Sequence, residues 1–469
     1  MTVTAPVGSA YRDRVAAALA AGWQARSLYA AADGQLVRIA LTAADGRSLI
    51  ETVAADSDGA VPSVADLVPA MAWDEREAHD LHGITFTGHE PMRPLANHSA
   101  PLAEWTVPVR GHDPYQVAVG PIHAGVIESG HFRFHVVGDK ILHLDARLFY
   151  KHRGLERAAE GQPITAALAV VSRACAACTA ANGVAYSIAA EQALGLRAAP
   201  QLARARALLV ELERVWNHLN DIAAVCAGTG MAAGNAWFLA LTEQARRLNA
   251  SLTGHRFLFG SVQVGGSTLT IDAGTVSRCA RELAGLRAAA ESGWRELEFN
   301  ASFQDRLGGV GIVAARDCSR LGVVGPAARA AGLAEDARAV SPYPGHDAFR
   351  PVTPENAAGD VKDRLGQRML ELRQAFAILE VLLDQGPLLP AEAVVGDAPG
   401  PVGFGITESP RGATTCIIER AGDAVRRVRL RTASYANWPA VAHAAADSLL
   451  PDFPLINKSF ELCYACADR

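Results

Sequence analysis

Two cysteine pairs of the form C-x-x-C stand almost three hundred residues apart in this chain. One is Cys175-Ala176-Ala177-Cys178, and the other opens the last seven residues, Cys463-Tyr464-Ala465-Cys466-Ala467-Asp468-Arg469. Thiols at i and i+3 can grip one metal ion from a single short turn, and two such clips complete a four-thiolate site. If both clips close on one ion, the long stretch between them must fold so that its two ends meet. Chain ends usually fray unless something ties them down, so ligands near a terminus predict a tail tucked in and locked.

Spacing alone leaves several uses open for these sulfurs. Zinc ribbons usually close short loops, with knuckles tens of residues apart, which makes zinc an odd choice here. A redox disulfide within one clip is conceivable, but no thioredoxin pattern surrounds either pair. The cysteines could also be merely buried small hydrophobes. A soft thiolate cage for a redox metal ranks first. The remaining cysteines, Cys226, Cys279, Cys318 and Cys416, read as buried fillers.

A chain of 469 residues, half of them hydrophobic, predicts two to four domains and a large core. The net charge of −5 is mild, so neither nucleic acid nor an anionic membrane surface is an expected partner. Met1 to Ala20 carries Arg12 and Arg14 and lacks the apolar core of a signal peptide. The longest apolar stretch, Ile164 to Ala190, is interrupted by Arg173, Asn182 and the first clip, so it falls short of a spanning helix. Membrane association is therefore expected through partners. Sparse cysteines fit a reduced, cytosolic setting.

Residues 1–100 read as a small mixed domain. Tyr11 to Ala21 has helical spacing, Leu36 to Leu41 looks like a strand, and Asp66 to His82 is expected to be largely helical, with Pro69 in its first turn. Glu90 to Pro114, rich in Pro and His, reads as a linker, and Gly130 to Lys140 as a hairpin. Helical patterning fills Leu148 to Ala250, notably Leu202 to Ala224, and returns from Gly359 to Leu383. Thr414 to Glu419 and Val425 to Thr432 are strand candidates. The first clip is placed at the head of a helix, and the terminal clip after a loop. Three further polar groupings stand out: Glu128 in the small-residue turn Val126 to His131, Arg153-Gly154-Leu155-Glu156, and the loop Glu408-Ser409-Pro410-Arg411-Gly412.

Trp73-Asp74-Glu75-Arg76-Glu77, followed by Asp80, Gly83-Ile84, Phe86, Gly88-His89 and Arg93, looks like the closing signature of the complex I 30 kDa-type subunit. From Gly120-Pro121-Ile122-His123 onward, the paired clips and the Pro410-Arg411-Gly412 loop match a second pattern. Glu211 to Asp221, Gly254 to Phe257 and Ser434 to Pro439 support it. Together these stretches resemble the catalytic large subunit of the group 4, complex I-related, membrane-bound nickel–iron (NiFe) hydrogenases. The types most similar are those of formate hydrogenlyase, hydrogenase-4 and CO-induced hydrogenase. The resemblance implies an α+β fold. A small N-terminal α/β domain (1–100) and a linker (101–119) would precede a large, mainly helical catalytic domain of the hydrogenase large-subunit and complex I 49 kDa type (120–469), with peripheral β-strands.

The same resemblance implies an enzyme that forms or oxidises H2 at a Ni-Fe centre whose iron carries CO and cyanide. Cys175 and Cys463 would be terminal nickel thiolates, and Cys178 and Cys466 would bridge nickel to iron. Cys463 would act as the base, Glu128 as the proton-gate carboxylate, and Arg411 as a fixed cation over the metals. Glu156 would help hold a second structural metal, Mg or Fe. Thr432 and Ser434 would donate to the cyanide ligands. Implied partners are an iron–sulfur small subunit of complex I type bearing a 4Fe–4S cluster, membrane-arm subunits and maturation proteins. The implied location is the inner face of the cell membrane, on the cytoplasmic side, reached through those partners.

Many members carry a C-terminal tail that is cut after Arg, so a chain stopping at Arg469 is expected to be either a mature form or a tail-less member. The first clip departs from the usual Cys-Gly-Ile-Cys, and Asn182 stands where a histidine normally donates to a bridging sulfur; its amide could donate too, over a shorter reach. The alternative reading is a complex I-type quinone-pocket subunit without hydrogenase activity, and a zinc-stapled scaffold comes third.

Overall fold

The alternation in Leu36 to Leu41 becomes the middle strand of an antiparallel sheet, in the order Gln24–Ala30, Leu36–Thr42, Ser48–Ala54. Period two sends successive side chains to opposite faces. Val37, Ile39 and Leu41 enter a core with Tyr11 and Val15 of the helix Gly8–Ala20 and Ala78 of the helix Ala72–His82. The other face is not left to water. Tyr29 and Ala40 pack against Phe404, Ile406 and Ile417 of a C-terminal sheet, and Arg38 pairs with Glu419. Both faces of the small sheet are therefore covered at its first two strands, one inside the leading segment and one against the rest of the chain. The computed structural model describes residues 8–110, 113–123, 128–340, 346 and 349–469. Val126 and Ile127 of the Glu128 turn, and residues 111–112 of the expected linker, lie outside the described residues.

The helix expected from Asp66 starts later, at Ala72, after a single 3-10 turn over Pro69–Met71. Proline has no N–H to give, so it opens that turn without loss. The segment read as a linker is strapped down where it is described. Asp80 accepts the N–H groups of Leu95, Ala96 and Asn97 at 2.6, 2.7 and 3.1 Å, and Arg76 donates to the carbonyls of Arg93 and Pro94. The expected hairpin is there, longer than its sequence signal: His131–Val137 pairs with Lys140–Arg147, and Tyr115–Val119 adds a third strand.

The apolar run beginning at Ile164 folds as two arms bent by 116° from each other, Ile164–Ala174 and Ala176–Leu194, with Cys175 at the elbow. No single helix among the described residues is long and apolar enough to cross a membrane. Ala167, Val171, Ala185 and Ala189 from these arms pack on Cys416, Ile418 and Val428 of the C-terminal sheet. That sheet pairs Val402–Ser409, Gly412–Ala421 and Ala424–Arg431. Gly403 and Gly405 let its first strand press directly on helix backbone, where the carbonyls of Ala189 and Ala185 fill the space a side chain would need. The helices Pro200–Gly228, Ala232–Thr253, Ala273–Glu298 and Val361–Asp384 build the largest core. Leu208, Leu212, Val215, Leu219 and Ile222 line it at the three- and four-residue steps read from the sequence.

Candidate metal centre

Each clip is built on the same local device. At the elbow, Cys175 is extended (φ −160, ψ 142) and heads the 3-10 turn Ala176–Cys178, its sulfur accepting the Ala177 N–H at 3.1 Å. Cys178 in turn stands at the head of the helix Thr179–Leu194. Near the terminus, Cys463 heads the helix Tyr464–Asp468 and accepts the Cys466 N–H at 3.3 Å. Backbone donors turned toward a sulfur favour its thiolate.

The two clips meet. The sulfurs of Cys175, Cys463 and Cys466 lie within 4.8 Å of one another, and Cys178 packs into the same cluster. Cys175, Cys178 and Cys466 are buried, and Cys463 is partly exposed. Crowding spreads their proton affinities. Hydrogen bonds from Cys175 and Cys466 bring Cys178 down to about 6, whereas the bond to Cys175 pushes Cys463 up to about 12. Cys466, facing all three neighbours, is raised well above an ordinary thiol. So many sulfurs in so small a space cannot all ionise without a cation among them.

The terminal clip is tied down from several sides. The Asp468 carboxylate accepts the N–H groups of Phe149 and Lys151 at 2.8 and 2.9 Å, and the Arg469 carbonyl accepts that of Arg153 at 2.7 Å. Thr432 donates its hydroxyl proton to the Cys466 carbonyl (2.9 Å), and Ser434 Oγ accepts the Cys463 N–H (3.1 Å).

Glu128 reaches the exposed side of the cluster. Its Oε2 sits 4.0 Å from the Cys463 sulfur and accepts the Ala465 N–H at 2.9 Å, while Lys151 Nζ stands 3.6 Å from Oε1. Burial, with Cys463 close by, raises its proton affinity above the ordinary carboxylate range. Arg411 approaches from the interior, at the two-residue turn between Val402–Ser409 and Gly412–Ala421. Its guanidinium donates to Asn217 Oδ1, to Asp221 Oδ1 at 2.9 Å and to the Glu461 carbonyl at 3.0 Å. Burial opposes its charge, but Asp221 and the sulfur of Cys178 more than offset this and keep it cationic. Gly412 takes φ 128, open chiefly to glycine, and so makes room for the backbone of Val324 and Gly325.

Asn182 is fully buried, with Nδ2 3.9 Å from the Cys466 sulfur, and its Oδ1 has no hydrogen-bond partner. Glu156 stands apart from the sulfurs, among arginines. Oε1 accepts the Leu430 N–H at 2.9 Å and faces Arg429 and Arg469 at 3.6 Å, and Oε2 faces Arg427 at 3.4 Å. A divalent cation needs free carboxylate oxygens and repels guanidinium groups, so these residues do not fit the second metal expected beside Glu156.

Three residues of the stretch Glu211 to Asp221, none given a role from the sequence, complete the inner wall. Glu213, Asn217 and Asp221 lie on one face of the helix Pro200–Gly228, each four residues from the next. Glu213 accepts the N–H groups of Ala180 and Ala181 just past Cys178, at 2.7 and 3.0 Å, and burial pushes its carboxyl up to about 8. Asn217 donates to the Ala177 carbonyl at 2.8 Å, and Asp221 binds both Arg411 and Arg368. The four-residue spacing of polar side chains within an apolar helix was the available signal.

Two family models match the chain: the 30 Kd subunit of respiratory-chain NADH dehydrogenase over residues 24–116, and its 49 Kd subunit over 228–402. The second stretch contains neither clip. Formate hydrogenlyase subunit 5 of Escherichia coli (strain K12) is 30% identical, aligned over 87% of this chain and 77% of the relative. The carbon monoxide-induced hydrogenase of Rhodospirillum rubrum is 28% identical over 76% of this chain and 99% of the relative. Among solved structures, a chain of the membrane-bound sulfane sulfur reductase, an archaeal respiratory membrane complex, superposes with a TM-score of 0.70 at 25% identity, covering 76% of this chain and 99% of that one. With a 30 kDa-type segment leading a 49 kDa-type core and both cysteine clips in place, the chain belongs to the family of complex I-related, membrane-bound group 4 hydrogenase large subunits.

Proposed function

We propose that this oxidoreductase subunit interconverts H2 with protons and electrons at a Ni-Fe centre held by Cys175, Cys178, Cys463 and Cys466. The convergence of the clips into one crowded, mostly buried sulfur cluster carries the reading. Four soft thiolates suit a redox-active metal pair. Bound there, with CO and cyanide on its iron, such a pair supplies the redox site at which the H–H bond is made or broken heterolytically.

The chain's own groups handle the proton. The sulfur of Cys463, the one half-buried cysteine of the cluster, takes it as base, and Glu128 accepts it across the 4.0 Å gap and passes it outward past Lys151. Arg411 keeps a fixed positive charge beside the sulfurs, held by Asn217 and Asp221 so that it needs no reorganisation during the reaction. Asn182 donates its amide proton to the Cys466 sulfur at 3.9 Å. Ser434 retains its own hydroxyl proton to offer a cyanide. Thr432 braces the terminal clip instead, because its proton is already given to the Cys466 carbonyl. The leading unit (1–100), the joining segment (101–119) and the catalytic unit (120–469) work as one body on the membrane's inner face. Electrons pass to a 4Fe–4S cluster in a complex I-type small subunit, the membrane arm is contributed by further subunits, and maturation proteins load the metals.

The complex I-type reading, a quinone-pocket subunit, is favoured by the two matched models, yet it leaves the four converging sulfurs without a use. Metal analysis and infrared spectroscopy of the purified, matured complex separate the readings. Nickel with iron, and bands from CO and cyanide, are expected. A nickel-loaded complex lacking those bands sinks the hydrogenase reading, zinc alone supports a structural staple, and a metal-free cluster supports the quinone subunit.

For the relay, Glu128→Gln is expected to slow exchange of H2 with solvent deuterons by roughly 100-fold or more. Nickel and iron content should stay unchanged, since Glu128 is not one of the sulfur ligands. Full exchange in that variant would remove Glu128 from the path.

A further inference from the structure

Glu156 is surrounded by cations that arrive from two distant parts of the chain. Arg427 and Arg429 come from the strand Ala424–Arg431, and Arg469 lies three residues past Cys466. What gathers them is a carboxylate of the leading segment. Glu77, on the helix Ala72–His82, pairs with both Arg429 and Arg469, and Asp74, one turn earlier, pairs with Arg429 and Arg431 at 3.0 Å. Arg429 and Arg469 are each only 2% exposed, and Glu77 is 4%.

The charges in this nest already match. Asp74, Glu77, Glu156 and Glu160 face Arg427, Arg429, Arg431 and Arg469, with Glu160 held by Arg427 at 3.0 Å. A cavity of about 270 Å³ opens beside them, and each of its carboxylates (Glu77, Glu156 and Glu160) already faces a guanidinium. Burial disfavours the Glu77 charge, but Arg429 and Arg469 reverse that and hold it well below the usual carboxylate range. The Arg469 guanidinium also donates to the Leu430 carbonyl at 2.7 Å, while its backbone N–H caps the Cys463–Cys466 turn through the Ala465 carbonyl. The nest is thus joined to the terminal clip through a few bonds of rigid backbone.

We propose that the Arg469 guanidinium, seated by Glu77 of the fused leading segment, replaces a divalent cation beside Glu156, which makes Glu77 a positioning residue for the terminal cysteine clip. The inference rests on the hydrogenase reading for what the clip holds, but not for what sits beside Glu156. It also explains what the leading segment contributes, since its helix supplies the anion that locks the metal-bearing tail.

The test uses the purified, assembled complex. A density map of the wild type is expected to show guanidinium groups and no ion at Glu156, and prolonged EDTA treatment should leave the CO and cyanide band positions unchanged. An ion at Glu156 in that map overturns the proposal, whatever the centre at the cysteines proves to be. In Glu77→Gln, the bands should shift, and nickel retention against a chelator should fall by about tenfold, the size typical of lost outer contacts to a metal site. Glu77→Asp, which keeps the charge, should recover most of that loss. If Glu77→Gln keeps wild-type bands and nickel retention, Glu77 does not position the clip. If it fails to assemble, the wild-type map and the aspartate variant still decide. Absence of CO and cyanide bands from the wild type counts against the hydrogenase reading alone, since the occupant of the Glu156 site is read separately.

Discussion

Cys463→Ser is expected to leave the assembled complex with no measurable H2 turnover. This sulfur has two roles in the proposed mechanism, metal ligand and first proton acceptor, and it is the partly exposed member of the cluster, next to Glu128. A serine hydroxyl is a hard, weakly acidic ligand that neither binds nickel softly nor titrates usefully near neutral pH. The fold should tolerate the change. Cys463 holds its turn by accepting the Cys466 N–H, which a serine oxygen also does at a helix head, and Asp468 and Arg469 anchor the rest of the tail. H2 production with a low-potential electron donor, set beside the thermal unfolding temperature, checks both halves. Turnover above a tenth of the wild-type rate, with the unfolding temperature intact, would remove Cys463 from its assigned role.

Arg329→Ala should be the most damaging single change to stability away from the sulfurs, at about 3–5 kcal/mol. Arg329 is 1% exposed and pairs with Asp336 at 3.0 Å, Glu371 at 2.8 Å and Glu408 at 2.9 Å. Removing it strips the guanidinium those three buried carboxylates share. Arg338 still serves Asp336 and His218 still serves Glu371, so the site is weakened rather than emptied. Glu408 is the most exposed to the loss: burial and Asp336 already push it up to about 7, with Arg329 opposing the rise. Without that cation, its folded-state value climbs further above the value in the unfolded chain. A group raised in this way contributes its stability at acid pH and loses it as pH rises through the folded value. The deficit of the variant should therefore be smaller at about pH 5 than at about pH 8. Thermal unfolding of wild type and variant at both pH values measures it, and a deficit independent of pH would mean that packing, not charge, is what Arg329 supplies.

This buried lattice is continuous with the sulfur cluster. Arg411 and Arg368 share Asp221, His218 joins Asp221 to Glu371, and Glu371 binds Arg329. The sequence announces little of it. Arg and Glu at scattered positions on long helices look like solvated faces, and only after the helices pack do their side chains turn toward one another. The exception is the Glu213, Asn217, Asp221 ladder, whose period of four within an apolar helix could be read in advance.

Local patterns were legible for local reasons. The strand Leu36–Thr42, the hairpin at His131–Arg147 and the helix Val361–Asp384 follow from period two, from Gly138-Asp139 at a turn and from three- and four-residue steps. The sequence also places the first clip at a helix head, though it does not foretell the elbow at Cys175. Burial was not legible in the same way. The C-terminal sheet lies deep between the bent helices and the leading segment, because Gly403 and Gly405 admit helix backbone on one side while Phe404 and Ile406 meet Tyr29 and Ala40 on the other. Glu156 shows the same gap at the site itself. The family resemblance implies a metal there, and only the fold reveals that Arg427, Arg429 and Arg469 already occupy its surroundings.

The candidate ligand set of the proposed centre is written in the order of residues. Cysteines three residues apart can close on a metal only as clips, and two clips specify four sulfurs wherever the chain puts them. Which other charges surround those sulfurs is a matter of packing. Arg411, Asp221, Glu77 and Arg469 come from distant segments, and their partners are fixed in a low-dielectric interior, where a buried charge is tolerated only against its opposite.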